Sequence, residues 1–265
     1  MRQRGLLLAA AVIVLLQICW PLVSGTPRAT LTIWTVVLFA CVSVVHAALN
    51  FGVVWATSYT LLTFVFAFIV EAIGLSSGII FGSYEYCDQL GAKVFGVPAI
   101  IPLAWTMFAY LAWLLARTIC THTDSPVTRS IARILVGAFT MTTWDLFLDP
   151  QMVSAGYWRW TDIGMLLPGT YGIGIHNYAG WFAASTVLML LLICIPVSGP
   201  VKRDAVDQRV PAALLAWTWI GGIVGNLFFF GRPATALVGG ISMGLVVVPY
   251  LITIIRQPSD RPVAT

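Results

Sequence analysis

Apolar runs of about 20 residues recur along almost the whole chain, and the short stretches between them carry most of its charges and prolines. A run of that length lets an α-helix cross the hydrocarbon core of a bilayer. A helix satisfies its own backbone there, where no water can. The runs predict eight spans, at about 5–24, 31–49, 53–73, 98–117, 131–149, 178–197, 211–230 and 234–255. The expected fold is all-α, a polytopic membrane helix bundle forming a single integral membrane domain over residues 1–265. The first run follows "MRQR" and precedes "LVSG", so it has signal-peptide features. It is long for the apolar region of such a peptide, and a retained span is expected.

Composition strengthens the pattern. Of 265 residues, 59% are hydrophobic and 9% charged, with a mean hydropathy of +0.92. Soluble domains carry roughly 25% charged residues, so this chain cannot cover a water-facing surface. A multi-pass protein of the cell membrane, in contact with membrane lipid, is expected. The net charge of +4 is spread over loops and ends, so no nucleic-acid partner is implied. The five cysteines form no CxxC pair and suggest neither a disulfide framework nor a zinc site. The sequence carries no signature of an oligomeric state.

Lysine and arginine orient the spans. With the N-terminus inside, Arg2, Arg4, Arg117, Arg129, Arg133, Lys202, Arg203, Arg209, Arg256 and Arg261 are cytoplasmic. Arg28, Lys93, Arg159 and Arg232 lie outside, and ten against four predicts both termini in the cytoplasm. On that topology Asp124, Asp204, Asp207 and Asp260 fall in inner loops. Glu71, Glu85, Asp88, Asp145, Asp149 and Asp162 gather at the outer ends of spans three and five. Glu71, Asp145 and Asp149 sit within the bilayer or at its lip, where a carboxyl group is expensive and marks a functional site by default.

The two outer connections are unusual. In "EAIGLSSGIIFGSYEYCDQLGAKVFGVPAIIPLAW", Gly74, Gly78 and Gly82 recur every four residues, a small-residue stripe suited to close helix contact. A continued helix or re-entrant piece is expected there, followed by a cluster of Tyr84, Glu85 and Tyr86. Pro98 and Pro102 bracket the entry to span four, and Trp105 lies one turn further in. In "DPQMVSAGYWRWTDIGMLLPGTYGIGIHNYAGW", Pro150 should end span five at Asp149, because a residue before proline is driven out of the helical region. Asp145 is then about 6 Å deeper on the same face. Trp158, Trp160, Tyr171, Tyr178 and Trp181 crowd the second connection with His176 and Asn177; taken singly, such aromatics read as an interfacial belt. His46 and Asn50 lie near the inner end of span two, where His46 reads as a packed histidine. Cys120, His122 and Asp124 only superficially resemble a metal triplet. Asn226 is placed to reach the cavity of the acids, and Arg232 to contact a lipid headgroup.

A carboxyl group kept dry can hold its proton and serve as an acid, a second can act as base, and aromatic faces can stabilise a transient cation. Those three parts suit hydration of an isolated C=C with no metal or cofactor. Proton-coupled transport or isomerisation would use the same groups. A retinal protein needs a lysine in a span, but Lys93 and Lys202 are both in loops. A membrane di-iron enzyme needs many histidines, and there are three. Walker A, GxGxxG, HExxH and GxSxG motifs do not occur where their mechanics would work.

Four blocks, "FVFAFIVEAIGLSSGIIFGSYEY", "GVPAIIPLAWTMFAY", "TTWDLFLDPQMVSAGYWRW" and "GIHNYAGWF", run in order from about residue 64 to 182. They resemble the membrane carotenoid-biosynthesis family that contains the carotenoid hydratases of the CruF type. The resemblance implies water addition to the terminal isopropylidene double bond of a carotenoid or other long polyisoprenoid, giving a tertiary alcohol. It places Glu71, Tyr84, Trp105, Trp144, Asp145, Asp149 and Asn177 in motif positions. On this reading Asp145 or Glu71 donates the proton, Asp149 holds the water, and Trp105 and Trp144 stabilise the cation. Trp158 and Trp181 are expected to complete the binding walls. Where the family favours a proline and a small polar residue before the asparagine, this chain reads Gly174 and His176, a departure that touches the lid of the site. Rival readings are a polyene or isoprenoid carrier using the acids for proton coupling, an enzyme acting on polyprenyl phosphates, and an assembly partner in a pigment complex.

Overall fold

The computed structural model describes residues 2–121, 125–162, 164–166, 172–197 and 206–256. Eight helices make up the bundle: α1 (Arg2–Cys19), α2 (Gly25–Phe51), α3 (Val53–Ser77), α4 (Ile100–Ile119), α5 (Pro126–Ser154), α6 (Ile175–Ile193), α7 (Arg209–Val224) and α8 (Pro233–Ile255). A 3₁₀ turn, Trp20–Leu22, lengthens α1, and a π turn, Gly225–Phe229, lengthens α7. With those extensions, all eight are long and apolar enough to cross a membrane. The expected all-α bundle is therefore the observed one. His122, Asp124, Tyr171, Lys202, Arg203, Asp204, Asp260 and Arg261 lie outside the described residues.

Helix α4 is the axis of the assembly: 83% of its span is buried, against 17–50% for the others. It packs on α2, α3 and α5, while α5 also meets α6 and α8. Outer faces show Val53, Val54, Leu61 and Leu245, apolar side chains suited to lipid. Helices approach closely where small residues face large ones. A Cβ on Gly222 or Gly239 would come within 2.8 or 2.7 Å of the Phe147 ring, locking α7 and α8 against α5. The stripe of Gly74, Gly78 and Gly82 does not serve that purpose. Only Gly74 is helical; Gly78 caps α3 in the left-handed conformation (φ 66°), and Gly82 lies beyond the helix.

The connection after α3 is accordingly neither a continued helix nor a re-entrant one. It forms a short strand, β1 (Tyr84–Tyr86), then a small hairpin of β2 (Lys93–Val94) and β3 (Val97–Pro98). Strand β1 pairs antiparallel with β4 (Trp158–Trp160), with Tyr84 opposite Trp160, Glu85 opposite Arg159 and Tyr86 opposite Trp158. Alternation along a strand sends Tyr84 and Tyr86 to the bundle and Glu85 outward, where it pairs with Arg159. Bonds from Cys87 N to Tyr157 O and from Thr161 N to Ser83 O, both 2.8 Å, extend the ladder.

Helix α5 also departs from expectation: it runs through Pro150 to Ser154. Proline removes one backbone bond and crowds the preceding turn, but packed neighbours allow such a break within a membrane bundle. Here Asn177 and Trp158 hold the Asp149 side chain, and Ala155 N donates to Gln151 O at 3.1 Å beyond the proline. Tertiary contacts override the local preference.

The 78–83 turn rests on α6 at one point. A Cβ on Gly180 would sit 1.9 Å from the Ile80 carbonyl oxygen and 2.8 Å from its carbon, so only glycine fits. His176 Nε2 lies 2.6 Å from the Ile79 carbonyl oxygen beside it. Gly180→Ala should push this backbone away from α6 and cost about 1–3 kcal/mol of stability, as overpacking does. A lowered midpoint of chemical unfolding in detergent would report it, and an unchanged midpoint would contradict the contact.

Candidate active site

Between the helices at the end where α3 and α5 terminate lies a cavity of about 410 Å³. Its walls come from α1 to α7 and the β1–β4 ribbon, and no lysine or arginine is among the described residues that line it. Two carboxyl groups do line it, Glu71 from the last turns of α3 and Asp149 from near the end of α5. Each is 3% exposed, and Asp145, one turn deeper in α5, is fully buried.

Glu71 is surrounded by donors. Tyr84 and Tyr86 each donate a phenolic hydrogen to Oε2, at 2.5 and 2.9 Å, and Trp105 Nε1 donates to Oε1 at 3.0 Å. Burial first, and the neighbouring Glu71 second, push both phenols well above the usual tyrosine range. They therefore remain protonated and able to donate at physiological pH. The strand geometry explains the pairing: residues two apart on β1 face the same side and reach one carboxyl group.

The two aspartates share a different partner. Asn177, in the first turn of α6, donates from Nδ2 to Asp145 Oδ2 at 3.0 Å and to Asp149 Oδ2 at 2.5 Å. Trp158 Nε1, from β4, donates to Asp149 Oδ1 at 3.1 Å. The trio thus divides into a Glu71 surrounded by protein donors and an Asp145–Asp149 pair bridged by Asn177.

Tryptophans supply the walls. Trp105 stacks on Trp181 with ring centres 4.3 Å apart and planes 8° from parallel. Trp144 meets Trp181 edge-on at 6.1 Å and stacks on Phe108 at 4.5 Å. Negative ring faces beside carboxyl groups, in a cavity without basic side chains among its described lining, favour a cationic centre over an anionic one.

Glu71, Asp149, Tyr84, Trp105, Trp144, Trp158, Asn177 and Trp181 all line this one cavity, whereas Asp145 does not. Asp145 is buried behind that lining and accepts a hydrogen bond from Asn177. Asn226 reaches the cavity as expected. His46 belongs elsewhere, with Nδ1 2.7 Å from the Tyr110 hydroxyl and Nε2 2.8 Å from the Asp207 carbonyl oxygen. Sequence reasoning did not single out Tyr86 as a Glu71 donor, nor Gln17 and Trp217, which join α1 to α7 by a 2.7 Å bond at the cavity wall. The alternation of "YEY" was the available signal for Tyr86; Gln17 and Trp217 carry none that is local.

A family model described as "Carotenoid biosynthesis protein" matches residues 31–251. Bisanhydrobacterioruberin hydratase of Haloarcula japonica is 30% identical over 123 residues, which cover 46% of this chain and 39% of that relative. The aligned part thus spans well under half the length of the curated relative. No solved structure matches the chain.

The donor arrangement around Glu71 can be measured. A double-mutant cycle of Glu71→Gln with Tyr84→Phe, followed by chemical unfolding in detergent, should give a coupling of about 0.5–3 kcal/mol. Glu71→Gln with Tyr250→Phe, whose hydroxyl bonds Gln208 instead, should give a coupling near zero. Equal couplings in the two cycles would refute the arrangement.

Proposed function

The chain belongs to the carotenoid biosynthesis protein family, and from that membership we propose that it is a carotenoid hydratase of the cell membrane. The reaction we assign is addition of water across the terminal isopropylidene C=C of a long acyclic polyene, without a cofactor. The observation that carries this reading is the shared cavity: tryptophan-walled, free of basic residues among those described, and lined by carboxyl groups from two helices. Partial identity to a protein named a hydratase supports the same class of reaction.

In the proposed mechanism Asp149 is the proton donor, since it lines the cavity and Asp145 does not. Its proton passes to the CH carbon of the isopropylidene group, the π bond breaks, and a tertiary carbocation forms on the carbon bearing two methyl groups. The faces of Trp105, Trp144 and Trp181 stabilise that cation. A water held by Glu71 forms the new C–O bond and gives its extra proton to the Glu71 carboxylate. The donors on Glu71 fix its position before that step. Once the alcohol leaves, the proton on Glu71 returns to the aspartate pair through solvent. Asn177 is a positioning residue that holds both aspartates. The proposed topology has both termini in the cytoplasm and the site near the outer surface, following the excess of basic residues in the other set of loops.

A polyene-producing host expressing the protein in water enriched in oxygen-18 tests the reaction. The pigment should gain the mass of one labelled water, and Asp149→Asn or Glu71→Gln should lower the product about 10²–10⁴-fold, the usual worth of a general acid or base. Asp145→Asn should act more mildly, by weakening the donor. Pigments of unchanged mass in the presence of folded wild-type protein would reject hydration and favour a carrier.

A further inference from the structure

The cavity that holds the acids is small for the ligand assigned to it. Its volume of about 410 Å³ lies toward the low end of the roughly 300–1,000 Å³ that suits a drug-sized molecule, and a long polyene exceeds such a molecule. Only the reacting end fits inside, so the rest of the chain has to leave through the wall. An apolar chain is poorly accommodated by water, and its exit therefore has to open on lipid.

The wall is thinnest along one seam. Helices α1 and α7, which pack against each other, are the two least buried spans, at 22% and 17%. Three described lining residues are also exposed: Ile18 on α1 (43%), Val224 at the end of α7 (39%) and Phe229 in the π turn that follows (55%). All three are apolar, and the other described lining residues are buried or only partly exposed. Along this seam the cavity and the lipid-facing surface meet.

The sequence keeps the seam open. Gly221 and Gly225, about one turn apart on α7, line the cavity with no side chain to fill it. The Trp217 ring lies over Gly221 and the Phe230 ring over Gly225, each with an atom 3.1 Å from where a Cβ would stand, so the rings bound a bare strip. Trp217 Nε1 also donates to Gln17 Oε1 at 2.7 Å, which ties α1 to α7 at one margin of the seam. At the other margin the helix widens into its π turn, a distortion that recurs at functional sites. We propose that the seam between α1 and α7 is the binding groove for the body of the polyene, which passes Ile18 and Val224 on its way from the cavity into the bilayer. The groove selects a long, slender hydrocarbon, and the Gln17–Trp217 bond fixes its width. This assignment rests on the reading of the cavity as a polyene site, and not on the hydration step.

The full chain in neutral detergent is titrated with an acyclic polyene and, separately, with a two-isoprene alkene carrying the same isopropylidene end. Binding is followed as a rise in the midpoint of thermal unfolding. The short alkene fits within the cavity, whereas the polyene also needs the groove. Val224→Trp should weaken polyene binding about tenfold or more, the effect of one overpacked contact, and leave the short alkene unaffected. Ile18→Trp should do the same from the other helix. Leu245→Trp, 65% exposed on α8 and outside the cavity lining, should bind both ligands as the wild type does. Unaltered polyene binding in both seam variants, an equal loss of both ligands, or the same loss in Leu245→Trp overturns the groove and leaves the cavity as a polyene site. Failure of the wild type to bind the polyene overturns both. A wild type that binds the polyene without adding water to it rejects hydration alone.

Discussion

A carboxyl group carried into hydrocarbon must receive its hydrogen-bond donors from the protein, and this requirement organises one end of the molecule. Unpaired, each of the three buried acids would cost several kcal/mol. Glu71 obtains two phenols and an indole, while Asp149 obtains an indole and half of an amide. These donors reside on α4, α6 and both strands of the ribbon, so satisfying two carboxyl groups fixes four separate segments. The glycine contact at Gly180 and the helical path through Pro150 are local concessions to that arrangement.

The same end of the bundle keeps its charges apart. Acidic groups and tryptophan faces occupy the large cavity, and Arg28 and Arg232 line a smaller pocket beside it. A positively charged side chain next to Glu71 or Asp149 would pair with it and weaken any attraction for a developing cation. Neutral donors position a carboxyl group without cancelling its charge. That distinction separates the proposed hydration chemistry from phosphate chemistry, for which the large cavity offers no basic side chain among its described lining.

Much of the fold is visible in the sequence because hydrocarbon imposes a simple demand, a long apolar run for each crossing. The acids are visible for the complementary reason that each is expensive where it stands. What the sequence conceals depends on partners distant along the chain. A spacing of four residues puts Asp145 and Asp149 on one face of α5, but Asn177 on α6 helps decide which of them meets the cavity. The glycines at 74, 78 and 82 imitate a helix-packing stripe, although the helix stops at Ser77 and the later two serve a turn. Three-residue strands are too short for their alternation to stand out from an aromatic belt.

The β1–β4 ribbon hands donors to both acids at once: Tyr84 and Tyr86 from one strand serve Glu71, and Trp158 from the other serves Asp149. Because side chains alternate along a strand, a slip of one residue in β1 would turn Glu85 inward and carry Tyr84 and Tyr86 away from Glu71, leaving it Trp105. The same slip in β4 would turn Arg159 inward and take Trp158 from Asp149, leaving it Asn177. A surface ribbon a few residues long therefore sets, strand by strand, how fully each buried acid is supplied.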